Sequence, residues 1–162
     1  MRRFFMVAAA LLLLAATASA QNKVSGTAQC SKPDPLHVVP VGDHPDHNMA
    51  VEQFKCTYSK PLEIGGDKSK DGLSTETADI TGDTSRAHGF HVVTMESGDK
   101  VFFWYQGTGK SKDGAPLEAK GNWGLNGGSG KLKGVKGKGT YNCTPSGDGY
   151  SCEVEGEYQL AK

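Results

Sequence analysis

Gly127-Gly128-Ser129-Gly130-Lys131-Leu132-Lys133-Gly134-Val135-Lys136-Gly137-Lys138-Gly139 is six-thirteenths glycine, yet alternating segments flank it on both sides. Upstream, Leu117, Ala119, Gly121, Trp123 and Leu125 fall on one parity. Downstream, Val135, Gly137, Gly139, Tyr141 and Cys143 do the same. Successive side chains of a strand point to opposite faces, so each set reads as the inner face of a strand. Small inner positions beside Trp123 and Tyr141 suit large rings packed across a curved wall. The final segment alternates most cleanly. Cys152, Val154, Gly156, Tyr158 and Leu160 face one way, and Ser151, Glu153, Glu155, Glu157 and Gln159 the other. That is a strand with one buried and one wet side.

Working outward, Gly and Asp-Gly punctuation recurs through the chain, and helix signals are nearly absent after residue 20. Short strands between such turns favour a sandwich or barrel. Eight strands are expected near 23–31, 48–58, 73–83, 87–96, 100–109, 117–126, 135–143 and 150–160. Residues 32–47, with Pro33, Pro35, Pro40 and Pro45, read as an irregular loop. Residues 65–72 and 107–114 read as hairpin-like turns. Both contain Lys-Ser-Lys-Asp-Gly, at 68–72 and 110–114, a shared pentapeptide that suits convergence on a solvated turn.

The first twenty residues read as a signal peptide. Arg2 and Arg3 precede an apolar run from Phe4 to Ala16, and Ala18-Ser19-Ala20 has the small-x-small form of a cleavage site. The run is too short to span a bilayer comfortably. Residues 21–162 then form one domain, secreted or periplasmic, with no membrane span. Removing two arginines leaves sixteen basic against eighteen acidic residues. That balance makes no case for nucleic acid or an anionic membrane.

Cys30, Cys56, Cys143 and Cys152 all lie in the mature part. An even count in an exported chain favours two disulfides, and no C-x-x-C spacing suggests a metal. Cys143 and Cys152 share the inner parity of consecutive strands, so a hairpin sets them opposite each other. That register also opposes Tyr141 to Val154 inside and Lys138 to Glu157 outside. The expected pairing is Cys143 with Cys152 and Cys30 with Cys56.

Several motifs carry little chemistry. Gly109-Lys110-Ser111 imitates the end of a phosphate loop, but Trp104 stands where a glycine is needed and no helix follows. His37, Asp43, His44, Asp46 and His47 could gather round a metal, yet loop residues of these types are usually just solvated, and no metal or cofactor is expected. His88 and His91 are three apart and point to opposite faces of a strand. Lys131, Lys133, Lys136 and Lys138 face Glu153, Glu155 and Glu157 of the next strand rather than forming a binding patch. No Ser-His-Asp or Cys-His constellation is supported, because bridged cysteines are not nucleophiles.

The densest aromatic run is Phe102-Phe103-Trp104-Tyr105. Lys100 and Gln106 share parity with Phe102 and Trp104, so that face is expected outward. Val101, Phe103 and Tyr105 then face inward. The outward pair offers a surface for another chain, such as a second copy in a homo-oligomer, or for the 32–47 segment.

The glycine-rich stretch resembles the signature of the allene oxide cyclase-like, dirigent-like β-barrels, and Val154-Glu155-Gly156-Glu157-Tyr158 is similar to the V-x-G-x-[YF] close of bacterial members. The resemblance is strong over the last quarter of the chain. It implies a single eight-stranded antiparallel barrel, wide enough for one small ligand or a filling of side chains. Plant members act on apolar epoxides or steer radical coupling by shaping the substrate, without a cofactor. The disulfide-bearing N-terminal half departs from the plant pattern.

Phe54, Tyr58, Phe103, Tyr105, Trp123, Tyr141 and Tyr158 are the candidate ligand-binding rings. Three functions follow as expectations: binding of a small apolar or aromatic molecule in the barrel; a cofactor-free cyclase or isomerase; and an envelope interaction protein with a filled barrel. The second needs an ionisable group among inward positions. Glu52, on the face of Phe54, Cys56 and Tyr58, is the candidate.

Overall fold

The computed structural model describes residues 21–113 and 115–161. The expected signal peptide lies outside the described residues. Ten strands form: β1 (Asn22–Cys30), β2 (Leu36–Pro40), β3 (His47–Lys60), β4 (Glu63–Ile64), β5 (Asp67–Thr81), β6 (Thr84–Met95), β7 (Lys100–Lys112), β8 (Ala115–Gly128), β9 (Lys136–Ser146) and β10 (Gly149–Gln159). The sheet runs β3-β1-β10-β9-β8-β7-β6-β5, and β5 pairs back onto β3. All these pairings are antiparallel, so the chain closes an eight-stranded barrel. Closure leaves no free edge among those eight strands.

The last hairpin has the expected register. Cys143 is opposite Cys152, Tyr141 opposite Val154 and Lys138 opposite Glu157. Both expected disulfides are present, Cys30–Cys56 and Cys143–Cys152. The ion pair at Glu157 is made by Lys23 of β1, at 3.7 Å, rather than by Lys138.

One end of the barrel is packed shut. Leu62 and Ile64, from the connection between β3 and β5, meet Met95, Val101, Leu125, Leu132 and Val135 there, all buried. A 3-10 turn over Gly130–Leu132 carries Leu132 into this plug. Its bend depends on Gly130 at φ 50°, a conformation that favours glycine. The Asp99 carboxylate accepts from the Lys131 amide at 3.0 Å and holds the turn against the end of β7. The glycine-rich stretch is therefore the lid of the closed end. Beyond it, the ring of Trp123 rests against Gly139 and Gly156, where a Cβ would meet the ring's Cζ2.

The structure corrects four expectations. Residues 36–40 form a strand, β2, paired with Asn48 to Glu52 of β3. Its five residues are all exposed, so it lacks the one-sided alternation that marks a strand in sequence. Pro35 and Pro40 bound it, as prolines do on edge strands. The 68–72 copy of Lys-Ser-Lys-Asp-Gly lies within β5, with Ser69 buried and its hydroxyl accepting from the Leu62 amide at 2.9 Å. The 110–114 copy ends β7 and enters a turn at Asp113, φ 53°. Leu117 is half exposed rather than inward, because a bulge between Lys110 and Ser111 shifts the pairing with β8. Leu160 falls just past β10, also exposed, against Gly65.

Phe102 and Trp104 do face outward, each 36% exposed, and Trp104 lies over Gly124. The proline-rich segment does not cover them; it supplies β2 along β3. No helix among the described residues is long and apolar enough to cross a membrane.

Candidate functional site

The other half of the barrel is hollow. A cavity of about 460 Å³ opens between the β5–β6 turn, at Gly82, Asp83 and Thr84, and the ends of β7 and β8, at Lys110, Ser111 and Pro116. That volume is within the range of small-molecule sites. Of the seven rings singled out in the sequence, Phe54, Tyr58, Phe103, Tyr105, Trp123 and Tyr141 line it. Tyr158 does not. It belongs to the closed end, where its hydroxyl accepts from the Gly65 amide at 3.0 Å. All four cysteines line the cavity, so both disulfides are part of its wall.

Glu52 lies among the lining residues, beside Phe54, Cys56 and Tyr58, as parity requires. Its direct cross-strand partner is Glu76 of β5. Directly opposed side chains in an antiparallel pair stand within contact reach, and like charges there repel. Glu76 accepts from the Tyr105 hydroxyl at 2.7 Å. Burial raises the Glu76 carboxyl to about 7, its neighbour Glu52 adding to the rise and the Tyr105 hydrogen bond opposing it. Burial also raises Glu52, while the nearby Glu76 carboxyl works the other way. The pair thus holds one proton readily.

A second polar group lies deeper. The His91 ring is held between the Tyr58 hydroxyl, 2.9 Å from Nε2, and the Ser74 hydroxyl, 2.8 Å from Nδ1. Desolvation lowers this histidine to about 4, so it is neutral across the physiological range. With one nitrogen protonated, the ring donates to one hydroxyl and accepts from the other. Gly72 makes the arrangement possible: a Cβ there would stand 2.5 Å from His91 Cε1. Burial also raises the hydroxyls of Tyr58 and Tyr105, and that of Tyr141 to about 12, so all three remain protonated donors.

Aromatic contacts order the remaining wall. Phe54 meets Tyr150 edge-on with centroids 6.0 Å apart, and Tyr105 meets Tyr141 edge-on at 5.8 Å. Phe103 packs edge-on to Trp123 at 5.3 Å and forms the floor between cavity and core. Trp123 donates its indole N–H to the Thr140 carbonyl at 3.1 Å, so it is not free to orient a ligand.

Sequence reasoning missed Glu76, His91, Ser74 and Tyr150. His91 shares parity with buried Val93 and Met95, which was a usable signal. Glu76 lies in the polar run Ser74-Thr75-Glu76-Thr77, where no apolar alternation shows which face is inner.

Elsewhere, Asp43, His44 and His47 cluster on the exposed approach to β3. His47 Nδ1 lies 2.7 Å from Asp43, and Nε2 lies 3.0 Å from Asp79. The Asp43 hydrogen bond raises His47 and lowers Asp43, and both nitrogens of His47 are engaged, by Asp43 and by Asp79.

The Glu76 proton has a consequence for stability. A carboxyl raised in the folded state contributes stability that is present below its unfolded value and lost as pH rises through the folded one. The window here runs from about 4.5 to about 7. Wild-type stability is expected to fall across it by on the order of 3 kcal/mol. Glu76→Gln should abolish most of that decline and be the more stable protein at pH 8. Urea unfolding at pH 5 and pH 8 measures it; parallel pH profiles for the two proteins would refute the assignment.

Compared with known proteins, the chain matches no family, no curated protein and no solved structure.

Proposed function

We propose that this chain is an exported protein that binds a small molecule with an apolar or aromatic body in the hollow half of its barrel. The observation that supports this most is the division of one barrel into a packed end and a hollow, ring-lined end. A barrel built only as a scaffold has no need of a hollow this size, because voids cost contacts. Rings give large contact area, and the hydroxyl of Tyr141 offers polar orientation.

Export is supported by the basic, apolar and small-x-small order of residues 1–20 and by two disulfides, which persist in oxidising compartments. The compartment is accordingly the periplasm or the exterior. The glycine-rich signature favours placement in the allene oxide cyclase-like superfamily.

A second reading, a cofactor-free cyclase or isomerase, draws support from the facing carboxyls. A group near pH 7 is suited to general acid–base transfer, and Glu76 is a better candidate than Glu52 alone. The readings separate by whether a guest leaves unchanged in structure and chirality.

Native mass spectrometry of the disulfide-intact mature chain with aromatic probes of differing charge tests the site. One-to-one complexes are expected, weakened at least tenfold by Phe54→Ala. No complex at millimolar probe, or complexes indifferent to Phe54→Ala, would overturn the reading.

A further inference from the structure

We propose that the guest of the barrel is an organic cation, its ammonium seated between Glu52 and Glu76 and its apolar body against Phe54, Tyr105, Tyr141 and Tyr150. The inference rests on the ligand-binding reading above and specifies the guest's charge.

The first observation is an imbalance of charge in a largely apolar, ring-lined chamber. The lining carries the carboxylates of Glu52, Glu76, Asp83 and Glu118, and a single basic side chain, Lys110. Lys110 is already engaged at the mouth by Glu118, at 3.1 Å. Among the described residues, no ion pair involves Glu52 or Glu76. His91, the other nitrogen base lining the chamber, has both ring nitrogens occupied by Tyr58 and Ser74. The protein thus sets two carboxyl groups opposite one another in a partly enclosed space and provides no cation for them.

The second observation is the kind of wall around that pair. Two edge-on aromatic pairs, Phe54 with Tyr150 and Tyr105 with Tyr141, line the same chamber. Aromatic faces attract cations, more strongly when water is excluded. An anionic guest would meet the opposite field: the carboxyl groups of Glu52, Glu76 and Asp83, with the lining's one lysine already paired to Glu118. A neutral guest would leave the carboxyl pair to hold its proton. Only a cation uses the rings and the carboxylates together, and its arrival displaces the shared proton to solvent.

Calorimetry on the disulfide-intact mature chain, with three probes of matched shape, decides the matter: 2-phenylethylammonium, 2-phenylethanol and 3-phenylpropanoate. At pH 8 the ammonium is expected to bind at least tenfold more tightly than the alcohol, and the carboxylate least of all. Glu52→Gln and Glu76→Gln should each weaken the ammonium at least tenfold while changing the alcohol less than threefold. Circular dichroism establishes that the variants are folded.

Wild-type protein supplies an independent readout. Its affinity for the ammonium should fall at least tenfold from pH 8 to pH 5 as the carboxyl pair takes up protons. The titratable groups that share the chamber with that pair are Tyr58 from β3, His91 from β6, Tyr105 from β7, Tyr141 from β9 and Tyr150 from β10, with Asp83, Lys110 and Glu118 at the mouth. The tyrosines stay protonated throughout and His91 stays neutral, so the carboxyls dominate the change. If the alcohol binds as tightly as the ammonium, or the ammonium is indifferent to both Gln substitutions and to pH, the cation assignment is overturned and the apolar site stands. If none of the three binds at millimolar concentration, the site reading falls with it.

Discussion

Phe103→Ala is expected to cost about 3–5 kcal/mol in unfolding free energy, the loss typical of a phenylalanine removed from a packed core. The ring is 5% exposed and belongs to the cluster that includes Val101, Leu125 and Trp123. It also contacts His91 edge-on, with centroids 6.1 Å apart. The closed walls of a barrel resist collapse into the space the ring would vacate, which places the cost toward the upper part of the range. Phe54→Ala, on the hollow side, should cost only about 1 kcal/mol, since the ring is partly solvated and borders space that is already empty. Equilibrium urea unfolding of both variants provides the comparison. The contrast matters more than either value: equal losses would mean that the two halves of the barrel are packed alike and that the cavity is no feature of the folded protein. A Phe103→Ala loss below about 1.5 kcal/mol would remove Phe103 from the core.

The same division explains what could be read in the sequence. Where a strand has core on one side and water on the other, parity is decisive. It placed Val101, Phe103 and Tyr105 inside, fixed the register of β9 against β10, and aligned Glu52 with Phe54, Cys56 and Tyr58. Where the inner side faces a cavity, that contrast disappears. The β5 residues that line the cavity are Ser74, Glu76 and Ile80, and their outward neighbours run from Leu73 to Thr75, Thr77 and Asp79, so neither parity is consistently the apolar one. Glu76 and Ser74 were therefore illegible by alternation. Tyr58, His91 and Ser74 meet from three strands, so no local spacing announces them. Exposure on both faces hid β2, and a bulge in β8, of which Leu117 is the extra unpaired residue, misplaced Leu117. Tyr158 had the correct parity but the wrong level: alternation says which face a residue is on, not how far along the barrel it stands.

Removing the Cys30–Cys56 bridge should destabilise the protein by about 3.5 kcal/mol, more than removing Cys143–Cys152, at about 2.5 kcal/mol. The separations are 26 and 9 residues, so the first bridge restricts the larger loop of the unfolded chain. Its position in the fold argues in the same direction. Cys143–Cys152 joins two strands of a hairpin that already align over eleven residue pairs. Cys30–Cys56 joins β1 to β3, the seam of the barrel with the fewest aligned residues, four pairs with a register shift between Thr27 and Ala28. Few ladder hydrogen bonds hold the seam, so the covalent link takes a larger share of closure. Both Cys30 and Cys56 line the cavity, so opening the seam also admits water to it. The double variant Cys30→Ser/Cys56→Ser is accordingly expected to show faster amide exchange in 27–30 and 56–60 and weaker retention of any guest. Cys143→Ser/Cys152→Ser should leave exchange at the seam unchanged. Denaturant midpoints and hydrogen exchange on the two double variants measure both effects. If the hairpin bridge proves the costlier loss, or exchange at the seam is unaltered by the first pair of substitutions, then the β1–β3 contact holds without its disulfide, and the weak point of the fold lies elsewhere.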